Sequence, residues 1–129
     1  MSPLPDLRER LLVLHKLLLD DEARAWQARH GREVSRQALF RLLLEDPEFA
    51  WLRALSRLAS RIDAALDEPD DTVPAAEQER AFLEETRRLL RSERHGPFET
   101  KYRDALQRSP DVVIAHAAVI KLVVLPDRG

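Results

Sequence analysis

The sequence predicts an all-α fold: a compact bundle of about six helices, with the apolar first and last helices at its centre. Three observations indicate this class: 44% of the residues are apolar, only 5% are aromatic, and glycine contributes 3 residues. Sandwiches and barrels need aromatic and β-branched strands joined by glycine-rich turns, which this composition does not supply. Because the chain has 129 residues, we expect residues 1–129 to form one helical domain.

The first helix is indicated by leucines that recur every three or four residues. Its main row is Leu7, Leu11, Leu14 and Leu18, and a second row is Leu12, Leu19 and Trp26. Asp6 follows Pro5 and is the expected N-cap. We expect the helix to run to about Arg29 and to end at Gly31, which tolerates the left-handed conformation.

The second and third helices follow from capping signals. Ser35 caps a short helix that stops at Glu45, because Asp46-Pro47-Glu48 supplies a cap, a first-turn proline and an acidic first turn for the next helix. The apolar positions of these two helices are Ala38, Leu39, Leu42 and Leu43, then Leu52, Leu55, Ala59, Ile62 and Leu66. The basic row Arg53, Arg57 and Arg61 is expected to face water.

Residues 67–77 carry five acids, no base and two prolines, which predicts an acidic, solvated loop at about 67–74. A fourth helix is expected over about 75–94, and a fifth after Gly96-Pro97 carries Phe98, Tyr102, Ala105 and Leu106 on one face. Ser109-Pro110-Asp111 repeats the cap, proline and acid pattern, so a sixth helix is expected over 110–125. A β-strand is the alternative there, because its valines favour strands.

The first and last helices are apolar on most of their circumference. Each large aliphatic side chain left in water forfeits about 1.5–3 kcal/mol, and a whole domain is stable by only about 5–15 kcal/mol. Either these helices pack together at the centre, or part of their surface meets another copy. We expect a homodimer, the commonest closed assembly, and therefore a protein of unknown function that acts by protein–protein association.

Signals for catalysis are missing from the sequence. It has no cysteine, which excludes disulfides and thiol chemistry, and 3 glycines could scarcely form a phosphate-binding loop. The adjacent acids at 20–22 diverge by about 100° on a helix, so we interpret them as solvated charge. We expect no enzyme activity and no cofactor.

The histidines support a third hypothesis, a metal- or small-ligand-binding bundle. His15 and His116 lie in mid-helix, but neither has a second ligand three or four residues away, as helical metal sites require. We therefore interpret both as hydrogen-bonded within or beside the core and predict no metal site.

Residues 34–43 resemble the start of the recognition helix in helix-turn-helix DNA-binding domains, because a capping serine precedes polar residues. The resemblance implies that Arg36, Gln37 and Arg41 read bases and contact phosphates. A DNA-binding regulator is thus the second hypothesis. The preceding turn and helix are longer than in that motif, and the acids at 20–22 repel phosphate. The net charge of −2 also gives no field toward nucleic acid, so nucleic acid is not an expected partner.

Trp26 and Trp51 are the largest apolar groups and are candidates for a partner surface as well as for the core. The first residues lack an export signal, and the apolar run 112–125 falls short of the roughly 20 residues that span a bilayer. We therefore expect a cytoplasmic protein with no membrane contact. The predominance of arginine over lysine indicates GC-rich coding and a bacterial source.

Overall fold

The computed structural model describes residues 2–124, which form six α-helices and one 3₁₀ segment, with no strand in that range. The elements are α1 (Leu4–His30), α2 (Arg36–Glu45), the 3₁₀ segment (Pro47–Leu52), α3 (Arg53–Asp67), α4 (Ala75–Leu90), α5 (Pro97–Arg108) and α6 (Pro110–Val123). The predicted all-α class is confirmed. The strand alternative is wrong for Val112–Ile114, which are helical, while Leu125 lies outside the described residues.

Helix α1 ends as predicted but begins earlier than predicted. Gly31 takes the left-handed conformation (φ 66°), and its N–H donates to the Gln27 carbonyl at 2.8 Å. At the other end the helix starts at Leu4, whose N–H donates to Ser2 Oγ at 3.1 Å. Asp6 is therefore a first-turn acid and not the N-cap.

The helix predicted to start after Asp46 begins as a 3₁₀ segment. Asp46 does cap it, accepting the Glu48 N–H at 2.7 Å, but α-helical geometry starts only at Arg53. In a 3₁₀ helix, residues three apart lie directly above one another. This geometry points both Phe49 and Leu52 into the core, where each is fully buried.

Helix α4 ends at Leu90, four residues before the predicted end. Leu90 is the last buried residue of the helix, and Arg91 is exposed. Beyond it, the Arg94 N–H donates to Ser92 Oγ at 3.2 Å. A serine side chain that bonds to nearby backbone competes with helical hydrogen bonding, so the last predicted turn, 91–94, is not helical.

The core is built on α1, whose most extensive contacts are with α6 and α3. The predicted row on α1 is fully buried: Leu7, Leu11, Leu14 and Leu18. The other side of α1 leaves Leu12 and Val13 half-exposed, and α6 exposes Val113 and Ile114. The first and last helices thus pack together but both border solvent, so their enclosure at the centre is not confirmed. None of the described helices is both long and apolar enough to cross a membrane.

Candidate functional site

Helix α2 is the most exposed helix of the bundle, because none of its residues is buried. Its inner side packs only partly buried residues against the core: Ala38, Leu39, Leu42 and Leu43. The outer side, named here the α2 face, consists of Arg36, Gln37, Phe40, Arg41, Leu44 and Glu45, all exposed. Phe40 is 62% exposed and Leu44 is 57% exposed. A phenylalanine and a leucine one helical turn apart therefore lie together in water.

Side chains from two other helices fix the ends of α2. At its start, Gln27 Oε1 of α1 accepts the Val34 N–H at 2.7 Å, and Ser35 Oγ caps the helix by accepting the Ala38 N–H at 3.1 Å. At its end, Arg53 Nε of α3 donates to the Leu43 carbonyl at 3.1 Å. The predicted cap is confirmed, and α2 is held at both ends although it buries nothing.

The charges of the α2 face have no ion-pair partner among the residues that the structure describes. Arg36, Arg41 and Glu45 form no ion pair with any residue in the described part of the structure. Some exposed charges elsewhere do pair, such as Arg61, whose Nη1 lies 2.6 Å from Glu85 Oε2, whereas others such as Arg57 do not. The α2 face therefore combines exposed apolar groups with charges of both signs that remain available.

A buried carboxylate secures the end of α1 from which α2 departs. Glu22 is 1% exposed and accepts hydrogen bonds from Trp51 Nε1 at 3.1 Å, Arg29 Nη2 at 3.1 Å and Lys101 Nζ at 3.4 Å. The bond to Glu22 raises the pKa of Arg29. Asp21 is also buried and pairs with Arg108. The expectation that the acids at 20–22 are ordinary solvated charge is therefore wrong for two of the three.

Glu48 joins the same end of α1 to the 3₁₀ segment. Its Oε1 lies 2.9 Å from Arg29 Nη2, and its Oε2 lies 3.2 Å from His30 Nε2. The hydrogen bond with His30, together with the charge of Arg29, lowers the pKa of Glu48. These contacts fix the position of the turn 31–35 and, through it, of α2.

The two tryptophans lie behind the α2 face rather than on it. Trp51 is 7% exposed and donates to Glu22, while its ring lies 5.7 Å from that of Phe98. Trp26 is 6% exposed and stacks on His30 at 4.1 Å, and its Nε1 has no hydrogen-bond partner among residues 2–124. It lines a groove of about 540 Å³ between the end of α1 and α2. Trp26 therefore borders α2 from within, Trp51 belongs to the core, and both offer little surface of their own.

The mid-helix histidines are hydrogen-bonded beside the core. His15 Nε2 lies 2.6 Å from Ser56 Oγ, and His116 Nδ1 lies 2.7 Å from the Tyr102 hydroxyl. Burial lowers the pKa of both imidazoles, and the charge of Arg91 lowers that of His116 further. Burial also raises the pKa of Tyr102. Among residues 2–124, no group of three or more histidine and acidic side chains could hold a metal ion.

The residues proposed for DNA reading lie together on the α2 face. Arg36, Gln37 and Arg41 are all exposed there, with Phe40 between them. Phe40, Leu44 and Glu45 were not among the sequence candidates. The available signal was their position opposite the apolar row of α2, where a phenylalanine and a leucine have no core to enter.

Comparison with models of protein families, with curated proteins and with solved structures finds no match for this chain.

Proposed function

We propose that the protein acts by association with protein, with the α2 face as the contact surface and a second copy of the chain as the first partner. One observation carries the proposal: α2 buries none of its own residues and presents Phe40 and Leu44 to solvent. Exposed apolar patches of this kind mark interaction surfaces on soluble proteins. Closed twofold assembly is also the commonest way to cover such a patch.

The free energy gained by covering the apolar side chains of the α2 face limits the expected affinity. A little over half of Phe40 and of Leu44 lies in water, so covering each contributes about 1–2 kcal/mol. A dimer covers four such side chains, a gross gain of about 4–8 kcal/mol. The entropy lost on association is of similar size, and only the surplus appears as affinity. We therefore expect a weak dimer that is populated only at high protein concentration.

The competing apolar surface is on α6, where Val113 and Ile114 are exposed. The exposed acid Asp111 lies one turn before Ile114, but the nearest lysine or arginine of that helix, Lys121, lies two turns after it. The α2 face has charges of both signs beside its apolar pair, which gives a contact specificity as well as attraction. The two surfaces provide a matched pair of variants.

The test compares F40S/L44S with V113S/I114S by sedimentation equilibrium over a wide concentration range. We expect the unmodified chain to rise from 14.9 kDa toward twice that mass, and V113S/I114S to follow it. F40S/L44S should stay at the monomer mass. Far-UV circular dichroism confirms that all three chains are folded. An unmodified chain that remains at the monomer mass throughout contradicts the proposal.

Nucleic-acid binding is the second candidate, because α2 exposes Arg36, Gln37 and Arg41 together. A labelled duplex at low salt gives the most sensitive assay, since phosphate attraction is strongest there. If this function holds, R36A/R41A loses binding and F40S/L44S keeps it. Absence of binding by the unmodified chain at low salt removes this candidate.

A further inference from the structure

The α2 face is arranged so that it complements itself. Helical residues are about 100° apart; measured from Leu44, Phe40 therefore lies about 40° to one side, and Arg41 and Glu45 lie about 60° and 100° to the other. One flank is apolar over residues 40–44, with the exposed Arg36 one turn before Phe40, and the other flank carries a base and an acid one turn apart. Neither charge has an ion-pair partner within residues 2–124.

We propose that two copies pair α2 against α2 in antiparallel orientation. The twofold axis passes between the two helices at the level of residue 42. In this register Phe40 packs against Leu44 of the partner subunit, and Arg41 pairs with Glu45 of the partner subunit. The twofold axis repeats both contacts, which gives two apolar pairs and two ion pairs. The inference rests on the proposed function, because without self-association there is no pair to arrange.

Geometry selects the antiparallel orientation. In an antiparallel twofold pair, each flank of a helix meets the same flank of its partner, so the apolar sides face each other and the charged sides face each other. With Phe40 directly opposite Leu44, Arg41 is offset by two residues from the opposing Glu45. At 1.5 Å per residue this offset is about 3 Å, which an arginine side chain spans. A parallel pair instead sets the charged flank of each helix against the apolar flank of the other and leaves both charges unpaired.

The occupant is a second copy because the complementary groups occur together on one chain. A different partner would have to present an aromatic or aliphatic pair flanked by an acid and a base in the inverse order. The α2 face presents this order to itself once one copy is turned through 180°.

The test uses charge reversal with rescue: R41E, E45R and the double variant R41E/E45R. The control is R57E, since Arg57 is an exposed α3 arginine without an ion-pair partner in the described residues. The dissociation constant of the dimer is measured by sedimentation equilibrium at low and high salt. Circular dichroism checks that each chain is folded.

Each single reversal sets like charges against each other twice, so we expect the dimer to weaken roughly tenfold at low salt. The double variant restores opposite charges and should return to within about threefold of the unmodified chain. The loss in the single variants shrinks at high salt, because these charges are screened. Each single reversal also sets like charges four residues apart within α2, so a 1:1 mixture of R41E and E45R is measured as well. The mixture restores both contacts between copies and neither contact within the helix, and it should dimerise about as well as the unmodified chain. R57E should match the unmodified chain.

A double variant that stays as weak as the single variants overturns this pairing. If F40S/L44S still abolishes the dimer in that case, self-association through α2 stands and only the antiparallel register is wrong. A monomeric unmodified chain removes both proposals together.

Discussion

Helix α1 buries nine of its residues, whereas α2, which follows it after the turn 31–35, buries none. Both helices are rich in leucine, so the difference lies in what surrounds them. The buried acids of α1 find bases and an indole N–H within the chain, while Arg41 and Glu45 of α2 find none in the described residues. Charges satisfied inside the chain fix the fold, whereas the α2 face keeps unpaired charges beside exposed apolar groups, and the proposed contact surface rests on this difference.

The largest expected effect compares one leucine from each helix. Leu14 of α1 is fully buried, whereas Leu39 of α2 is half-buried. L14A should lower the free energy of unfolding by about 3 kcal/mol, since deleting buried methyl groups also leaves a cavity. L39A should cost less than half as much. Urea unfolding measures both, and equal losses would show that α2 belongs to the core as fully as α1 does.

The second prediction concerns the buried carboxylate of α1. E22A leaves the indole N–H of Trp51 without an acceptor in the core and frees two partly exposed bases. We expect a loss of about 2–3 kcal/mol in the free energy of unfolding. The matched control is E9A, because Glu9 is exposed on the same helix and should change stability by no more than about 0.5 kcal/mol. Similar losses in both variants would refute a structural role for Glu22.

The third prediction concerns the attachment of α2. S35A removes the side-chain oxygen that accepts the Ala38 N–H, which should cost about 1 kcal/mol of stability. The S35D variant keeps an acceptor and should lose little. Because α2 is held also through Gln27 and Arg53, S35A should weaken the helix locally, which hydrogen exchange of residues 36–45 measures. Unchanged exchange there would mean that the cap contributes nothing.

The smallest effect is pH dependence. Burial lowers the pKa of His15 and His116 below their ordinary 6.5, so the unfolded chain binds protons that the folded chain excludes. The free energy of unfolding therefore has its full value above about pH 7 and decreases as the pH falls toward about 5. The pKa values of Glu48, Glu84, Glu85 and Glu99 are lowered, so their contributions are lost as the pH falls through and below their ordinary 4.5. The upper part of the range, from about pH 7 to 5.5, therefore reports mainly the histidines.

In the double variant H15Q/H116Q, the free energy of unfolding should depend less on pH between these two values. Thermal or urea unfolding at a series of pH values measures this. Helix α2 contains no histidine, so F40S/L44S should keep the slope of the unmodified chain. A slope that persists in H15Q/H116Q would assign the pH dependence to other groups.

Much of the fold could be predicted because its signals are local. The cap at Ser35, the left-handed Gly31 and the start at Ser109 each depend on residues within four positions. The predictions failed where the cause is distant. The burial of Glu22 and Asp21 depends on Trp51, Lys101 and Arg108, which are 29 to 87 residues away; no spacing in the sequence reports those contacts.

Part of the candidate site could be predicted from the sequence. The α2 helix and the exposure of Arg36, Gln37 and Arg41 followed from the capping serine and the apolar row. The exposure of Phe40 did not, because a phenylalanine in an amphipathic segment is usually assigned to the core. Its position opposite the apolar row was the one hint in the sequence, and the position of α2 at the edge of the bundle, in contact mainly with the 3₁₀ segment, shows that no core reaches it.

The hydrogen bonds from Gln27 and Arg53 to the ends of α2 have a consequence for how this surface changes over evolution. Because side chains of α1 and α3 set the orientation of α2, substitutions on its outer side should change the free energy of unfolding very little. The chemistry of this surface can therefore change from one descendant of the chain to the next while the scaffold beneath stays the same.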